Sequence, residues 1–318
     1  MFYETVRKPQ EDGNGIKGDK MKKEWEVYLK NFWKAFDYPE QAVKSLERDM
    51  QKVFSCEQVW EIFETYDQEY SKNIHMDYEK IFEKLKEAET ICGVSYYTLH
   101  LLFLAGLSRK TQELYKEKKI PERIFIDSME DLYWKLLECH KLYGVWGTFV
   151  ADWMPWWFEL RRFALGRFQY ERIAFEDTYE KDGLSLHPGD SVIQVHIPSA
   201  GPLNREEYRK SYEMAADFFK DVFPDGKVIF FCESWLLFPE HEKFLPKTSH
   251  ILEFMKDYQI YREEYRTEDL WRIFYKDSKK APEDLPEHTG LQRAYKKWLE
   301  AGNPVGGRLW NTGSVKKY

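Results

Sequence analysis

Two apolar segments separated by a helical pattern, within residues 191–238, constrain the fold of this chain most strongly. In the first segment the side chains alternate, so that Gln194 and His196 share one face and apolar residues share the other. The second, Val228–Phe231, is apolar throughout, which is typical of a strand covered on both faces. Asn204 can cap the helix between them. The segment therefore predicts two parallel strands joined by a helix.

Residues 21–150 have a different pattern, because apolar residues recur there at helical spacing and no strand-like alternation is present before about residue 160. At 318 residues, the chain is also longer than most single cores. We therefore predict an α+β protein with a flexible tail at 1–20, an all-α domain at 21–150 and a mixed α/β domain with a central sheet at 151–318.

Several local patterns refine this prediction. Asp127 or Ser128 can cap a late helix of the first domain, and alternation from Leu165 to Glu171 predicts one long strand. Further short runs, Gln259–Tyr261 and Leu270–Phe274, are predicted to be closing strands.

The net charge of −7 argues against a nucleic-acid-binding protein, which needs a concentrated basic face. The first 20 residues are polar and lack the apolar core of a signal peptide. The longest apolar stretch, Tyr96–Leu107, is too short to span a bilayer. These features predict a cytoplasmic protein without a membrane partner.

The four cysteines, Cys56, Cys92, Cys139 and Cys232, are widely spaced and form no CxxC pair, so we expect neither a disulfide framework nor a metal site. Aromatic residues make up 17% of the chain. They favour aromatic core packing, with ring-lined ligand pockets as the alternative.

The loop between the first strand and its helix is the candidate binding element. Such loops direct backbone N–H groups at ligands over the sheet edge, and they bind the pyrophosphate of coenzymes. A simple capped helix without an anion site is the alternative, because Glu206 and Glu207 occupy the first helical turn. The candidate residues are Ser199, Ala200, Gly201, Leu203 and Asn204.

Two residues near the strand ends are candidates for acid–base chemistry. His196 lies near the end of the first strand, and Glu233 directly follows the second. Glu233 continues a buried face, and partial burial would raise the pKa of its carboxyl, as a general base requires. The alternative is that Glu233 turns to solvent. Cys232 has no visible paired base and is interpreted as a core residue.

Four segments of the chain carry a resemblance to a known family: RFALGRFQYE, VHIPSAGPLNREEYRKSYEMAADFF, FFCESWLLFPEHEKFLPKTSHILEFMKDYQI and the helix that starts with LQRA, together with its glycine-rich tail. They resemble the bacterial acyltransferase-like proteins that join a helical N-acyltransferase N-terminal domain to a GNAT-like C-terminal domain. The resemblance covers nearly all of the chain after about residue 21. It implies a central mixed sheet in which two parallel strands splay apart and admit an acyl-CoA as co-substrate.

The resemblance implies transfer of an acyl group from acyl-CoA to an amine, with Glu233 or His196 as base and no metal. GNAT enzymes bind pyrophosphate with an Arg/Gln-x-x-Gly-x-Gly/Ala loop, whereas this chain has Ser-Ala-Gly-Pro-Leu-Asn, with a single glycine. A GNAT-like binding module without chemistry therefore remains the alternative. A glycan-processing enzyme is a third reading, which rests on the aromatic content alone.

Overall fold

The computed structural model describes residues 13–181, 183–223, 226–260, 268–304 and 314–317. The described chain divides into two compact units. The first contains the residues up to Thr111 together with Trp146–Asp152, and the second contains Gln112–Val145 and the residues from Trp153 onward. The tail predicted for residues 1–20 lies outside the described residues as far as residue 12, and the first helix begins at Gly13.

The described residues form twelve α-helices and eight β-strands, with short 3-10 segments between them. The helices are α1 Gly13–Ala35, α2 Glu40–Ser55, α3 Glu57–Tyr70, α4 Tyr78–Cys92, α5 Tyr96–Glu117, α6 Glu122–Tyr143, α7 Pro155–Phe158, α8 Arg205–Phe219, α9 His241–Phe244, α10 His250–Met255, α11 Trp271–Phe274 and α12 Gly290–Glu300. The strands are β1 Arg162–Leu165, β2 Phe168–Ala174, β3 Tyr179–Lys181, β4 Leu184–Leu186, β5 Ser191–His196, β6 Ile229–Cys232, β7 Gln259–Ile260 and β8 Ser314–Lys317.

The helices of the first unit follow from apolar periodicity and from residues that end them. In α2, Leu46, Met50 and Val53 recur at three and four residues and are fully buried. Asp77 caps the start of α4, since its side chain accepts a hydrogen bond from the Lys80 backbone N–H. These local signals explain why the helices of the first unit can be predicted from the sequence.

One glycine of α5 allows a close approach within the first unit. A Cβ atom at Gly106 would lie 2.0 Å from a ring carbon of Trp25, which is fully buried. Real Cβ atoms do not tolerate such a contact, so a larger residue would displace the tryptophan. Gly106 therefore fixes how tightly α1 and α5 pack.

The second unit is built on a six-stranded sheet with the order β1-β2-β5-β6-β8-β7, and β3 and β4 form a separate two-stranded sheet. Strands β5 and β6 are parallel and joined through α8, whereas the other pairs are antiparallel. This confirms the parallel strand-helix-strand unit and the α+β fold class that the sequence predicts.

Helix α8 covers one face of this sheet with aromatic side chains. Tyr208 and Tyr212 are fully buried and contact Phe168, with ring centroids 5.8 and 5.5 Å apart. Tyr212 also lies 5.2 Å from the ring of Phe230 on β6. Since this face is filled by rings, any polar chemistry on the sheet must use the opposite face.

Three local predictions are wrong. The segment from Leu165 to Glu171 is a hairpin rather than one strand, because Gly166 adopts a φ of +72° and reverses the chain between β1 and β2. Residues 270–274 are helical. Helix α6 begins at Glu122 behind Pro121 instead of at Asp127 or Ser128.

Candidate functional site

The parallel strands β5 and β6 separate at their carboxyl ends. Their ladder contains three residue pairs and ends at Val195 opposite Cys232. His196 is the last residue of β5 and Glu233 directly follows β6, so both lie where the strands part. Ligands of open α/β sheets bind beyond the carboxyl ends of parallel strands, which makes this point the candidate site.

A mostly apolar cavity of about 500 Å³ lies beyond the divergence, and we call it the apolar cavity. Its walls come from the segments after β5 and β6, from α10 and from the start of α12. The apolar side chains that line it include Ile197, Pro198, Leu203, Leu236, Leu245 and Ile251. Such a cavity fits an acyl chain better than a charged group.

The side chain of Arg167 binds the backbone carbonyl oxygens of the loop that connects β5 to α8. Its guanidinium donates hydrogen bonds to the carbonyls of Pro198, Gly201 and Pro202, at 3.1, 2.8 and 3.3 Å. Burial lowers the pKa of Arg167, although Glu207 opposes this effect. The loop is thus fixed by a half-buried arginine from the β1–β2 turn, outside the loop itself.

The backbone N–H groups of this loop are partly committed to the loop itself. The N–H of Gly201 donates to the Ser199 carbonyl at 2.9 Å, and that of Asn204 donates to the Pro202 carbonyl at 3.1 Å. Pro202 has no N–H, and the Asn204 side chain accepts from the N–H of Glu206 as the cap of α8. The loop therefore offers fewer amides to a phosphate than a glycine-rich loop does.

The hydroxyl of Ser199 is also engaged, because it donates to the carboxylate of Glu138 on α6. Glu138 is buried and pairs with Lys135 at 3.0 Å. Of the five candidate loop residues, Ser199, Gly201 and Leu203 line the apolar cavity.

A second cavity of about 730 Å³ lies over the sheet face that carries Gln194 and His196, and we call it the polar cavity. Both acid–base candidates, His196 and Glu233, line it. The structure therefore brings together two residues that lie 37 positions apart in the sequence. The other side chains that line it include Trp153, Trp156, Arg162 and Glu171.

A buried ion pair forms the floor of the polar cavity. Glu171 on β2 and Arg162 on β1 are neighbours in the strand register, and they are 1% and 2% exposed. Two nitrogens of Arg162, Nε and Nη2, donate to Glu171 Oε2 at 3.1 and 2.8 Å. Arg161 lies 3.6 Å from the other oxygen, Oε1. Buried charges persist in proteins only when paired in this way.

His196 lies against this pair. Its ring nitrogen Nε2 is 3.5 Å from Glu171 Oε2, and its side chain is 12% exposed. Trp153 contacts His196 edge to face, with centroids 4.8 Å apart, while the guanidinium of Arg162 lies 3.7 Å above the Trp153 ring. Three side chains thus restrict the imidazole.

These contacts set the protonation states. Burial lowers the pKa of His196 to about 4, since Arg162 adds to that effect and Glu171 only partly offsets it. Burial on its own raises the pKa of Glu171, but His196 and Arg162 outweigh it and hold that pKa below its ordinary range. At neutral pH the site therefore contains a neutral imidazole beside a carboxylate, and a neutral imidazole can accept a proton.

Glu233 is half-buried at the edge of the same cavity. Cys232, the residue before it, is fully buried, and burial raises the pKa of its thiol. This supports the interpretation of Cys232 as a core residue, because a nucleophilic cysteine needs a lowered pKa.

Sequence reasoning missed Arg162, Glu171 and Trp153 as site residues. The available signal was a pair of opposite charges on the two strands, Arg162 at the start of β1 and Glu171 in the middle of β2. Because a hairpin turn lies between them, their pairing is visible only once Gly166 is identified as the turn. Among the described residues, no cluster of side chains could hold a metal ion, and no helix is long and apolar enough to cross a bilayer.

Two family models match the chain. One, described as N-acyltransferase N-terminal domain, matches residues 28–160, and the other, described as GNAT-like C-terminal domain, matches residues 162–309. Together they span most of the sequence, and the second contains both β5 and β6. No curated protein matches the chain.

Solved structures with the same fold include an acyltransferase in complex with decanoyl-CoA and teicoplanin, with a TM-score of 0.68 and 17% identity over 91% of this chain and 87% of that chain. A mutant acyltransferase in complex with octanoyl-CoA matches with the same TM-score, identity and coverage. An acyltransferase in complex with decanoyl-CoA has a TM-score of 0.64 and 20% identity over 99% of this chain and 89% of that chain. At these identities the likeness establishes the fold alone.

Proposed function

Because this chain belongs to the family that joins an N-acyltransferase N-terminal domain to a GNAT-like C-terminal domain, we propose that it transfers an acyl group from acyl-CoA to an amine. The observation that carries the proposal is the divergence of β5 and β6 after Val195 and Cys232, with an apolar cavity beyond it and a polar cavity beside it. The two cavities match the two halves of the reaction, an acyl chain and a polar acceptor.

We assign the acyl chain of the donor to the apolar cavity, whose walls include Leu203, Leu236 and Ile251. Solved structures with this fold hold decanoyl-CoA and octanoyl-CoA, which supports a medium-length acyl-CoA as the donor of this chain too. The thioester then lies at the strand divergence, where backbone amides that no longer belong to the ladder can polarise its carbonyl.

The reaction proceeds by attack of the amine nitrogen on the thioester carbonyl carbon. A C–N bond forms, the C–S bond breaks, and the amine loses one proton to a base on the protein. The departing thiolate takes up a proton and leaves as free CoA. His196 and Glu233 face the polar cavity at this point, and we assign the amine proton to His196, whose imidazole is neutral at neutral pH and has an unprotonated ring nitrogen.

A thermal melt of the purified protein tests the donor assignment. We expect acetyl-CoA, octanoyl-CoA and decanoyl-CoA at millimolar concentration to raise the midpoint, since a ligand at a hundredfold its Kd stabilises the folded state by about 2.7 kcal/mol. Adenosine alone is the control, and it should leave the midpoint unchanged. If none of the acyl-CoAs shifts the midpoint, the assignment of acyl-CoA as the donor is wrong.

A GNAT-like binding module without chemistry is the second candidate. It is favoured by the loop amides of Gly201 and Asn204, which are already bonded within the loop, and by Pro202, which cannot donate. Incubation with decanoyl-CoA and a panel of primary amines separates the two candidates. The transferase releases free CoA thiol and forms an amide detectable by mass spectrometry, whereas the binding module stabilises the protein without either product.

A further inference from the structure

Resting on the proposed function, we propose that Glu171 is a positioning residue for His196. Its carboxylate accepts a hydrogen bond from the Nε2–H of the imidazole and so leaves the other ring nitrogen, Nδ1, to take the amine proton. Arg162 holds the carboxylate in place. None of these groups is adjacent to His196 in the sequence, so the arrangement exists only through the pairing of β1, β2 and β5.

Strand register places the carboxylate beside the imidazole. Gln169 on β2 lies opposite His196 on β5, and Glu171 is two residues further along β2. Residues two apart on a strand point to the same face, so Glu171 and His196 are diagonal neighbours. The separation of 3.5 Å between His196 Nε2 and Glu171 Oε2 is slightly long for a hydrogen bond. Catalytic hydrogen bonds are often long before substrate binds.

Within the described residues, no other acceptor or donor competes with Glu171 for the Nε2 atom of His196. His196 Nε2 is buried and has no hydrogen-bond partner there, which is a costly state for a polar atom. A small rotation of the ring brings an N–H at this nitrogen onto Glu171 Oε2. The edge of Trp153 at 4.8 Å limits the alternatives open to the ring.

Arg162 makes the carboxylate a fixed acceptor instead of a mobile one. Its two hydrogen bonds to Oε2 keep Glu171 ionised. Its Nη1 donates a third hydrogen bond, to the backbone carbonyl of Trp153 at 3.1 Å, which anchors the guanidinium. Arginine is suited to this because its donors form a rigid planar fork. Polar contacts thus connect Trp153, Arg162, Glu171 and His196 in that order.

The charges around His196 come from four elements. Glu171 on β2 favours the imidazolium, and Arg162 on β1 opposes it. Glu233 after β6 lines the same cavity, and Asp131 on α6 bonds Gln169 opposite His196 at 2.8 Å. When the imidazole takes the amine proton, the adjacent Glu171 carboxylate stabilises the new positive charge. A nucleophile or base oriented by a third group is a recurrent catalytic arrangement.

Nuclear magnetic resonance of the protein with 15N-labelled histidine tests the pairing without any substrate. The chain has eight histidines, and the signals of His196 are assigned by their absence in His196→Asn. We expect neutral His196 to carry its proton on Nε2, with a downfield, slowly exchanging N–H signal. In Glu171→Gln this signal should move upfield and exchange faster. A proton on Nδ1 in the unsubstituted protein overturns the proposal even if Glu171→Gln does not fold.

Kinetics give the second measurement. We expect Glu171→Gln to lower kcat on the order of 10²-fold with little change in KM for the acyl-CoA, and to move the acidic limb of the pH–rate profile to lower pH. Glu159→Gln is the matched control, because Glu159 also approaches Arg161, at 3.6 Å, but does not line the cavity. Equal kinetic effects of the two substitutions, or an unmoved pH profile, overturn the positioning role.

Acyl transfer and the positioning role of Glu171 are tested by different measurements. If no amine is acylated under any condition, the proposed transfer is wrong, whereas the magnetic resonance experiment still decides whether Glu171 orients His196. If transfer occurs and the Nε2–H signal is unaffected by Glu171→Gln, the function stands and the positioning role falls.

Discussion

The two cavities of the second unit are built by different means. The apolar cavity is made largely of residues that follow β5 and β6 along the chain, such as Ile197 and Leu236, with side chains chosen for size and apolarity. The polar cavity depends on charges that meet only through strand pairing, above all Arg162 and Glu171. Substitutions between apolar residues of similar size in the apolar cavity should therefore change stability little. In the polar cavity, the loss of one member of the Arg162–Glu171 pair leaves the other as an unpaired buried charge.

This difference has a functional meaning under the proposed activity. Hydrophobic contacts discriminate weakly, by a small factor for each methylene, so the apolar cavity can accept a range of donors. Buried charged pairs discriminate strongly, because a wrong partner leaves a charge unsatisfied. We expect donor choice to be broad and the chemical step to be sensitive to single substitutions.

The largest expected effect is on the chemical step alone. Glu233→Gln removes a carboxylate from the polar cavity while keeping its size, so we expect turnover to fall on the order of 10²- to 10⁴-fold. Acyl-CoA binding, measured by the shift of the melting midpoint, should be unchanged because the apolar cavity is untouched. Glu180→Gln on the exposed part of β3 is the control. Unchanged turnover in Glu233→Gln removes Glu233 from the mechanism.

Next in size is the loss of stability in acid. Burial lowers the pKa values of His196 and His241 to about 4. The unfolded chain, with histidine pKa values near 6.5, therefore binds protons first as the pH falls. Stability should be constant above about pH 6.5 and fall between about 6.5 and 4, by up to roughly 1.4 kcal/mol per pH unit for each histidine.

Single substitutions assign this acid dependence to the two regions. His241 lies in the aromatic cluster with Tyr295 and Trp235, beside the apolar cavity, and His196 lies in the polar cavity. Urea unfolding of His241→Asn and His196→Asn at several pH values should show a flatter dependence in each variant. An unaltered slope in both variants means that other groups cause the acid loss.

A smaller effect separates helix capping from coenzyme binding in the connecting loop. The Asn204 side chain accepts from the N–H of Glu206, so Asn204→Ala should lower the free energy of unfolding by about 1 kcal/mol. We expect the affinity for acyl-CoA to stay the same, since that oxygen already has a partner. A large loss of affinity, measured by calorimetry, would instead place Asn204 at the coenzyme.

The effect that is smallest for each group changed is the dependence on acyl length. Each buried methylene contributes about 0.8 kcal/mol, so affinity should rise about fourfold per methylene until the apolar cavity is full. Ile251→Trp should fill part of that cavity and reduce the gain for decanoyl-CoA more than for acetyl-CoA. Ile126→Trp, at an exposed position of α6, is the control. A uniform affinity for all chain lengths argues against this placement of the acyl chain.

Most of the architecture can be predicted from the sequence because its determinants are local. Helical periodicity with a cap at Asp77 and an end at Gly93, and the strand-helix-strand unit around Asn204, need no distant information. Local signals fail where two conformations share one pattern. Residues 270–274 form a short, mostly apolar segment, and such a segment is compatible with a strand or a helix.

Only some of the site residues can be predicted from the sequence, because only some of their determinants are local. His196 and Glu233 can be chosen from the sequence because they follow apolar strands. Glu171 and Arg162 cannot be assigned to them, since that requires the register of the β1–β2 hairpin and of β2 with β5. Register is a tertiary property, set by which faces become buried, and a single sequence records it weakly.

Strand β8 has a consequence for how the protein is made. In the described part of the chain, β6 pairs with β5 on one side and with β8, Ser314–Lys317, on the other. About 80 residues separate β6 from β8, so at roughly 5 to 20 residues per second a ribosome needs several seconds between them. Throughout that interval the β8 side of β6 has no partner strand, and an unpaired edge of this kind can pair with another chain.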